Sequence, residues 1–177
     1  MSPSADSLLN PSLSPSFERA RILSKTLWWF FVINFGVTAL WLASVPLAMI
    51  WPEAARYNID GSLVSLVDQP MPGRLYTVAA ILVRPLPALV LLYHAIKVFG
   101  GFAKGEVFAA RPIAHIRACG FWIIIWAFAP SAAQFILEHH VRIKFELPLL
   151  AFGVATFIAA YVMGEARRIA DENASIL

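Results

Sequence analysis

Four long apolar stretches, separated by shorter polar connectors, dominate the hydrophobic pattern of this 177-residue chain. They predict membrane-spanning helices at about residues 26–50, 75–99, 118–137 and 147–163. Each stretch is close to or above the roughly 20 apolar residues that a helix needs to cross a bilayer core. The pattern therefore predicts an all-α integral membrane protein. Short connectors make consecutive helices neighbours, so we expect a four-helix up-down bundle.

The segments outside the apolar stretches have distinct patterns. Residues 1–18 are rich in Ser and Pro, and we expect a disordered cytoplasmic tail rather than a cleavable signal peptide, because no basic residue precedes an apolar core. Residues 19–177 are expected to form one four-pass membrane domain, with a charged helical extension at 164–174. Residues 52–74 are the first external connector. Apolar and polar residues alternate in part around Gly61, so a short hairpin is one alternative for this connector.

Composition supports a membrane class. Hydrophobic residues make up 59% of the chain and charged residues 14%, whereas soluble domains average about 45–50% and about 25%. The small net charge of +3 does not favour direct nucleic-acid binding. A single cysteine, Cys119, excludes an internal disulfide framework.

The distribution of Lys and Arg predicts the orientation of the spans. Beside the outer ends of the spans there are four cations, Arg56, Arg74, Arg142 and Lys144. Beside the other ends there are nine: Arg19, Arg21, Lys25, Lys97, Lys104, Arg111, Arg117, Arg167 and Arg168. Because the cation-rich side is usually cytoplasmic, both termini are predicted to lie inside.

Arg84 is an unusual residue because it lies within the second span, beside Pro85 and Pro87. The prolines remove backbone donors and predict a kink. Three roles are open for Arg84. It snorkels outward or bonds the carbonyls freed by the prolines, it binds an anionic ligand or lipid headgroup, or it pairs with an acid on another subunit. His94, in the same span, is a second ligand or lipid candidate.

The remaining histidines do not suggest a metal site. His115 is expected on the cytoplasmic connector, and His139 and His140 on the external side, so no other span offers a second ligand to His94. No phosphate-binding loop or nucleophile motif is present in the sequence. We therefore expect no metal, no cofactor and no enzymatic activity.

The connector after the second span carries a recognisable pattern. It contains Lys104-Gly105-Glu106-Val107-Phe108, followed by Ile116-Arg117-Ala118-Cys119-Gly120. Together with the ending Glu165-Ala166 to Ile169-Ala-Asp-Glu-Asn173, these elements resemble the DUF2975 family of small bacterial membrane proteins. The resemblance covers about residues 24–177. It implies no catalytic residues, because the family's role is not established, but similar members lie near small helix-turn-helix regulators, which suggests such a protein as partner.

The connector also has a physical interpretation. Gly105 permits a tight bend, Phe108 is suited to anchoring at the membrane interface, and Pro112 to the first turn of the third helix. Glu106 is expected to cap the following turn or to pair with Arg111 or Arg117. Small residues at four-residue spacing predict helix contacts at Ala39/Ala43, Ala155/Ala159 and Ala160/Gly164.

These observations leave three hypotheses for function. The first is a regulatory or accessory membrane protein that binds a cytoplasmic partner. The second is a small transporter or ligand-binding bundle centred on Arg84, and the third is a structural subunit of a larger complex. The oligomeric state stays open. The partner-binding candidates are Lys104, Gly105, Glu106, Phe108, Arg111, Arg117, Glu165, Arg168 and Glu172.

Overall fold

The protein is described by a computed structural model over residues 15–52, 56–59, 62–138, 143 and 145–175. A 3₁₀ helix at Val45–Met49 follows the first α-helix, and a short antiparallel hairpin pairs β1, Arg56–Ile59, with β2, Ser62–Ser65. The α-helices are α1 Pro15–Ser44, α2 Met71–Val83, α3 Leu86–Ala103, α4 Ala110–Glu138 and α5 Leu147–Ala174. With α2 and α3 taken together, four helical segments are long and apolar enough to cross a membrane.

The first helix begins earlier and ends earlier than the apolar pattern predicts. Residues 1–14 of the expected disordered tail lie outside the described residues, but the expectation was wrong for 15–18, which are helical. Proline is tolerated at the first helical position. The negative charge of Glu18 in the first turn interacts favourably with the helix dipole. At the other end Pro46 cannot donate to an α-helical hydrogen bond, and the chain tightens into the 3₁₀ helix.

The connector between the first and second spans folds back against the helices. After the hairpin, Leu66 is completely buried in a cluster with Val45, Val78 and Ile81. Arg74 fixes this turn, since its Nε donates to the carbonyl of Gln69 at 2.9 Å and its Nη2 to that of Val67 at 3.0 Å. The described part of residues 52–74 is therefore tied to the start of α2.

The second span is broken at the prolines, as the sequence predicts. α2 ends at Val83, and α3 begins at Leu86 with Pro85 at its N-cap. The backbone stays close to helical at Arg84, and Leu89 N–H donates to the carbonyl of Pro85 at 3.0 Å. One apolar segment of 33 residues, Met71–Ala103, thus contains two helices joined by a short break.

The extensive helix contacts join consecutive spans, with α3 packed between α1 and α4, and α5 packed on α4. In the most apolar windows of the spans, the buried share is 11% for the first and the fourth, but 28% and 33% for the second and the third. The two middle spans are therefore the centre of the molecule. The first and the last leave large side chains exposed, among them Phe30, Leu40, Phe152 and Ile158.

Two glycines allow α4 and α5 to approach closely. A Cβ on Gly120 would lie 2.9 Å from the carbonyl oxygen of Gly153, and one on Gly153 would lie 2.7 Å from Cγ1 of Ile124. Of the predicted small-residue contacts, Ala160 is fully buried, but Ala155 and Ala159 are exposed. The prediction for that pair was wrong, because their spacing places them on the face of α5 that α4 does not cover.

Candidate functional site

The Lys104-Gly105-Glu106 element is a helix stop. Glu106 N–H donates to the carbonyl of Gly101 at 3.0 Å, and Gly105 N–H to that of Phe102 at 2.9 Å. These are the two bonds of a Schellman motif, which needs a left-handed residue at the position of Gly105. Gly105 has a φ of 86°, so the bend predicted from this glycine is confirmed.

The following helix begins sooner than the apolar pattern predicts. α4 starts at Ala110, so Arg111, His115 and Arg117 are helical rather than part of a connector. Pro112 lies in the first turn, as predicted, and is fully buried. A Cβ on Gly101 would lie 2.7 Å from its Cγ, which shows how closely the end of α3 approaches α4.

The early start of α4 corrects the prediction that His94 has no counterpart. The Nδ1 atoms of His94 and His115 lie 2.9 Å apart, joining α3 to α4. One ring donates and the other accepts, so at least one of the two is neutral. Antiparallel helices explain the meeting, since the two residues lie at similar distances from the bend at Lys104 and Gly105.

Above the histidine pair, a cleft of about 840 Å³ opens between α1, α3 and α4 on the side predicted to be cytoplasmic. We call it the cationic cleft. Each helix contributes residues spaced three or four apart, which lie on one helix face. Its lining comprises Arg21, Lys25, Trp28, Trp29, Ile96, Lys97, Gly100, Gly101, Ala103, Lys104, Glu106, Arg111, Pro112 and His115.

The charges of the cationic cleft are unbalanced. Its lining has five Lys or Arg side chains and one carboxylate, that of Glu106. Among the described residues no ion pair joins these cations to a carboxylate. The expectation that Glu106 pairs with Arg111 or Arg117 was therefore wrong. The backbone carbonyl of Glu106 instead accepts from Ala109 N–H at 3.3 Å.

A second, smaller concavity lies on the other side of the connector. It is a groove of about 400 Å³, which we call the connector groove, lined by Phe108, Ala109, Ala166, Arg167, Ala170 and Asp171. Phe108 is 59% exposed at its edge. The Nη1 atom of Arg167 is buried and has no hydrogen-bond partner among the described residues. The connector and the C-terminal extension thus form one continuous surface.

The charges of the C-terminal extension are paired along the helix. Arg168 bonds Glu165 and lies 2.8 Å from Glu172, and Arg167 lies 3.4 Å from Asp171. All three pairs have the helical spacing that the sequence indicates. Residues 164–174 are helical and continue the helix of the last span without a break.

The other candidates lie apart from these two concavities. Arg84 is exposed at the break between α2 and α3, at the opposite end of α3 from the cationic cleft, and it interacts with other residues there. Arg117 is exposed on α4 and lines neither concavity. His139 and His140 lie outside the described residues. Within the described part of the chain, no three His, Cys, Asp or Glu side chains are grouped as metal ligands.

Sequence reasoning missed the cationic cleft because its residues come from three helices. The signal was present in each helix: Arg21, Lys25 and Trp28 recur at four and three residues, and Lys97 and Lys104 are seven apart. Counting cations for orientation identified the correct residues but not their convergence. The spacing within α1 and α3 would have placed them on single faces.

Comparison with known proteins adds no relative. No protein-family model matches the chain, and neither a curated protein nor a solved structure does. The likeness to DUF2975 therefore stays a prediction carried by the connector and tail motifs alone.

Proposed function

We propose that this chain is a regulatory or accessory protein of the bacterial cytoplasmic membrane that binds a protein partner through its cytoplasmic face. In this proposal the four spans run up and down with both termini inside, as the nine-to-four distribution of cations favours. The partner surface is the connector groove with its surroundings. No catalytic step is assigned to it.

The observation that carries the proposal is the junction of two sequence segments, 108–109 and 166–171, that are far apart in the chain. Phe108 and Ala109 from the connector meet Ala166 and Ala170 from the extension in one groove. Aromatic side chains are enriched at protein interfaces, and Phe108 is 59% exposed at the edge of this groove.

Polar features of the same groove favour a specific partner. The buried, unpartnered Nη1 of Arg167 offers a donor that an acceptor from a partner would satisfy. Burying that donor without a bond is costly, so a partner with a carboxylate or carbonyl at this point gains affinity. The likeness to DUF2975 suggests a small DNA-binding regulator, in which case the regulator rather than this chain contacts nucleic acid.

Site-specific photo-crosslinking in intact cells tests the proposal. A crosslinker at position 108 should capture a defined polypeptide, and R167Q should abolish that product. The matched control is a crosslinker at Ile169, which is 48% exposed on the same extension but does not line the groove. Identical products from both positions, or products insensitive to R167Q, would contradict a docking role for the groove.

A further inference from the structure

We propose that the cationic cleft is a binding site for a phosphate-bearing anion, presented either as a phospholipid headgroup or as a soluble phosphate compound. This site is separate from the connector groove. It is built mainly by α1 and α3, neither of which contributes to that groove.

Geometry is the first support for the site. Residues 21, 25 and 28 place one face of α1 along the cleft, and residues 97, 100, 101 and 104 do the same for α3. Arg111 and His115, four residues apart, complete the wall from α4. Three helices thus direct one face each towards a common volume. At about 840 Å³ it falls in the range of about 300–1,000 Å³ that is usual for ligand sites.

Charge is the second support, and it gives the ligand class. Five cations surround the cleft with one carboxylate, and none of the five is paired with an acid among the described residues. The ammonium of Lys97 makes a cation–π contact with the ring of Tyr93, 5.4 Å from the ring centroid. Like charges held around one volume repel each other, and a polyanion relieves that repulsion. A phosphate also accepts hydrogen bonds from both Lys and Arg.

The tryptophans place the cleft at the depth of lipid headgroups. Trp28 and Trp29 line it, and indole rings favour the membrane–water interface. The indole of Trp28 packs over Gly100, where a Cβ would lie 3.4 Å from its ring atoms. Phe31 and Phe99 stack with centroids 5.2 Å apart and form a further contact between α1 and α3. A headgroup phosphate therefore has direct access from the bilayer.

Calorimetric titration of the full-length protein in a neutral detergent tests this site. The probes are dihexanoyl phosphatidic acid, dihexanoyl phosphatidylcholine and inorganic pyrophosphate. We expect phosphatidic acid to bind and the zwitterionic phosphatidylcholine not to bind. If pyrophosphate also binds and competes, the site takes soluble phosphate compounds; if it does not, the site is a lipid headgroup site. Absence of binding by both anions would overturn the proposal.

Matched charge variants separate the cleft from general surface charge. R21Q/K25Q removes two cleft cations, and R19Q/R117Q removes two exposed cations, counted on the same side of the spans, that line neither the cleft nor the connector groove. Each cation near an anionic headgroup is worth roughly fivefold in affinity, so the first variant should weaken phosphatidic acid binding about 25-fold. The second should change it less than about twofold, because its cations lie outside the cleft, where water and salt screen them. Equal losses would show general surface attraction and overturn the proposal.

A single variant guards against misfolding of the double one. K97Q removes one exposed cation from the wall of α3 and should weaken phosphatidic acid binding roughly fivefold. Unchanged affinity in K97Q, with helix content equal to that of the unmodified chain by circular dichroism, would count against the site.

Discussion

The cationic cleft and the C-terminal extension both carry arginines on the same side of the spans, yet their charges are organised in opposite ways. In the extension, Arg167 and Arg168 each meet an acid on their own helix. In the cleft, cations from three helices converge with one carboxylate among them. Local spacing alone neutralises the extension, whereas only tertiary packing creates the cleft. The five cations of the cleft and the two of the extension therefore differ in what they can bind.

The two regions also depend on different helix contacts. The extension is carried by α5, which approaches α4 at Gly120 and Gly153. The cleft depends on the approach of α3 to α4 at Gly101 and Pro112. Substitutions at these glycines should disturb one region without the other.

The largest effect is expected from G120A. The new Cβ would lie 2.9 Å from backbone atoms of Gly153 and Phe157, which cannot rotate away. Overpacking of this kind should lower the free energy of unfolding by about 3 kcal/mol, measured by denaturant unfolding in detergent micelles. Binding of phosphatidic acid to the folded fraction should persist. G164A, whose Cβ would meet only Ile113 at 3.9 Å, is the matched control.

A smaller loss of stability, with loss of the cleft, is expected from G101A. Its Cβ would lie 2.7 Å from Cγ of the buried Pro112, forcing α3 and α4 apart at the cleft. We expect a loss of about 1–2 kcal/mol in unfolding free energy and markedly weaker anion binding in the same titrations. G36A is the control, because its Cβ would meet nothing within 4 Å. Unaltered anion affinity in G101A would break the proposed dependence.

The histidine pair below the cleft should give a coupling of about 1 kcal/mol, the usual contribution of one hydrogen bond. The measurement is a double-mutant cycle on unfolding free energy with H94F, H115F and the double variant. Their 2.9 Å contact joins α3 and α4, so both single variants should also be destabilised. Additive single effects would show that the two rings stabilise the protein independently.

The smallest effect is expected from E165Q in the extension. Its side chain is 43% exposed, and Arg168 retains Glu172 at 2.8 Å. The melting temperature should stay within about 1 °C of the unmodified protein. A larger decrease would mean that the extension depends on this ion pair more than its exposure suggests.

The membrane class and the four segments able to span a membrane could be predicted from the sequence, because long apolar stretches have one stable solution in lipid. The break at Pro85, the bend at Gly105 and the ion pairs of the extension also follow from local chemistry. These features involve residues close together in the chain. Their causes are contained in short windows.

The cleft, the histidine pair and the glycine crossing could not be predicted in the same way. His94 and His115 meet only because α4 begins at Ala110, whereas the apolar stretch that predicts the third span begins at residue 118. Gly120 and Gly153 are close neighbours because α4 and α5 pack through the faces that carry them. By spacing alone, the face of α5 that carries Ala155 and Ala159 was an equally good candidate, but it is exposed. Tertiary packing made that choice.

The broken second span is long enough that its placement depends on the thickness of the membrane. Its 33 residues extend about 50 Å at 1.5 Å per residue, whereas a hydrocarbon core is about 30 Å thick. Part of this span must therefore tilt or project into the polar layers. Since the cleft lies at one end of α3, the height of its cations relative to the phosphate plane depends on how that excess length is divided. In thin and thick bilayers the same side chains stand at different heights.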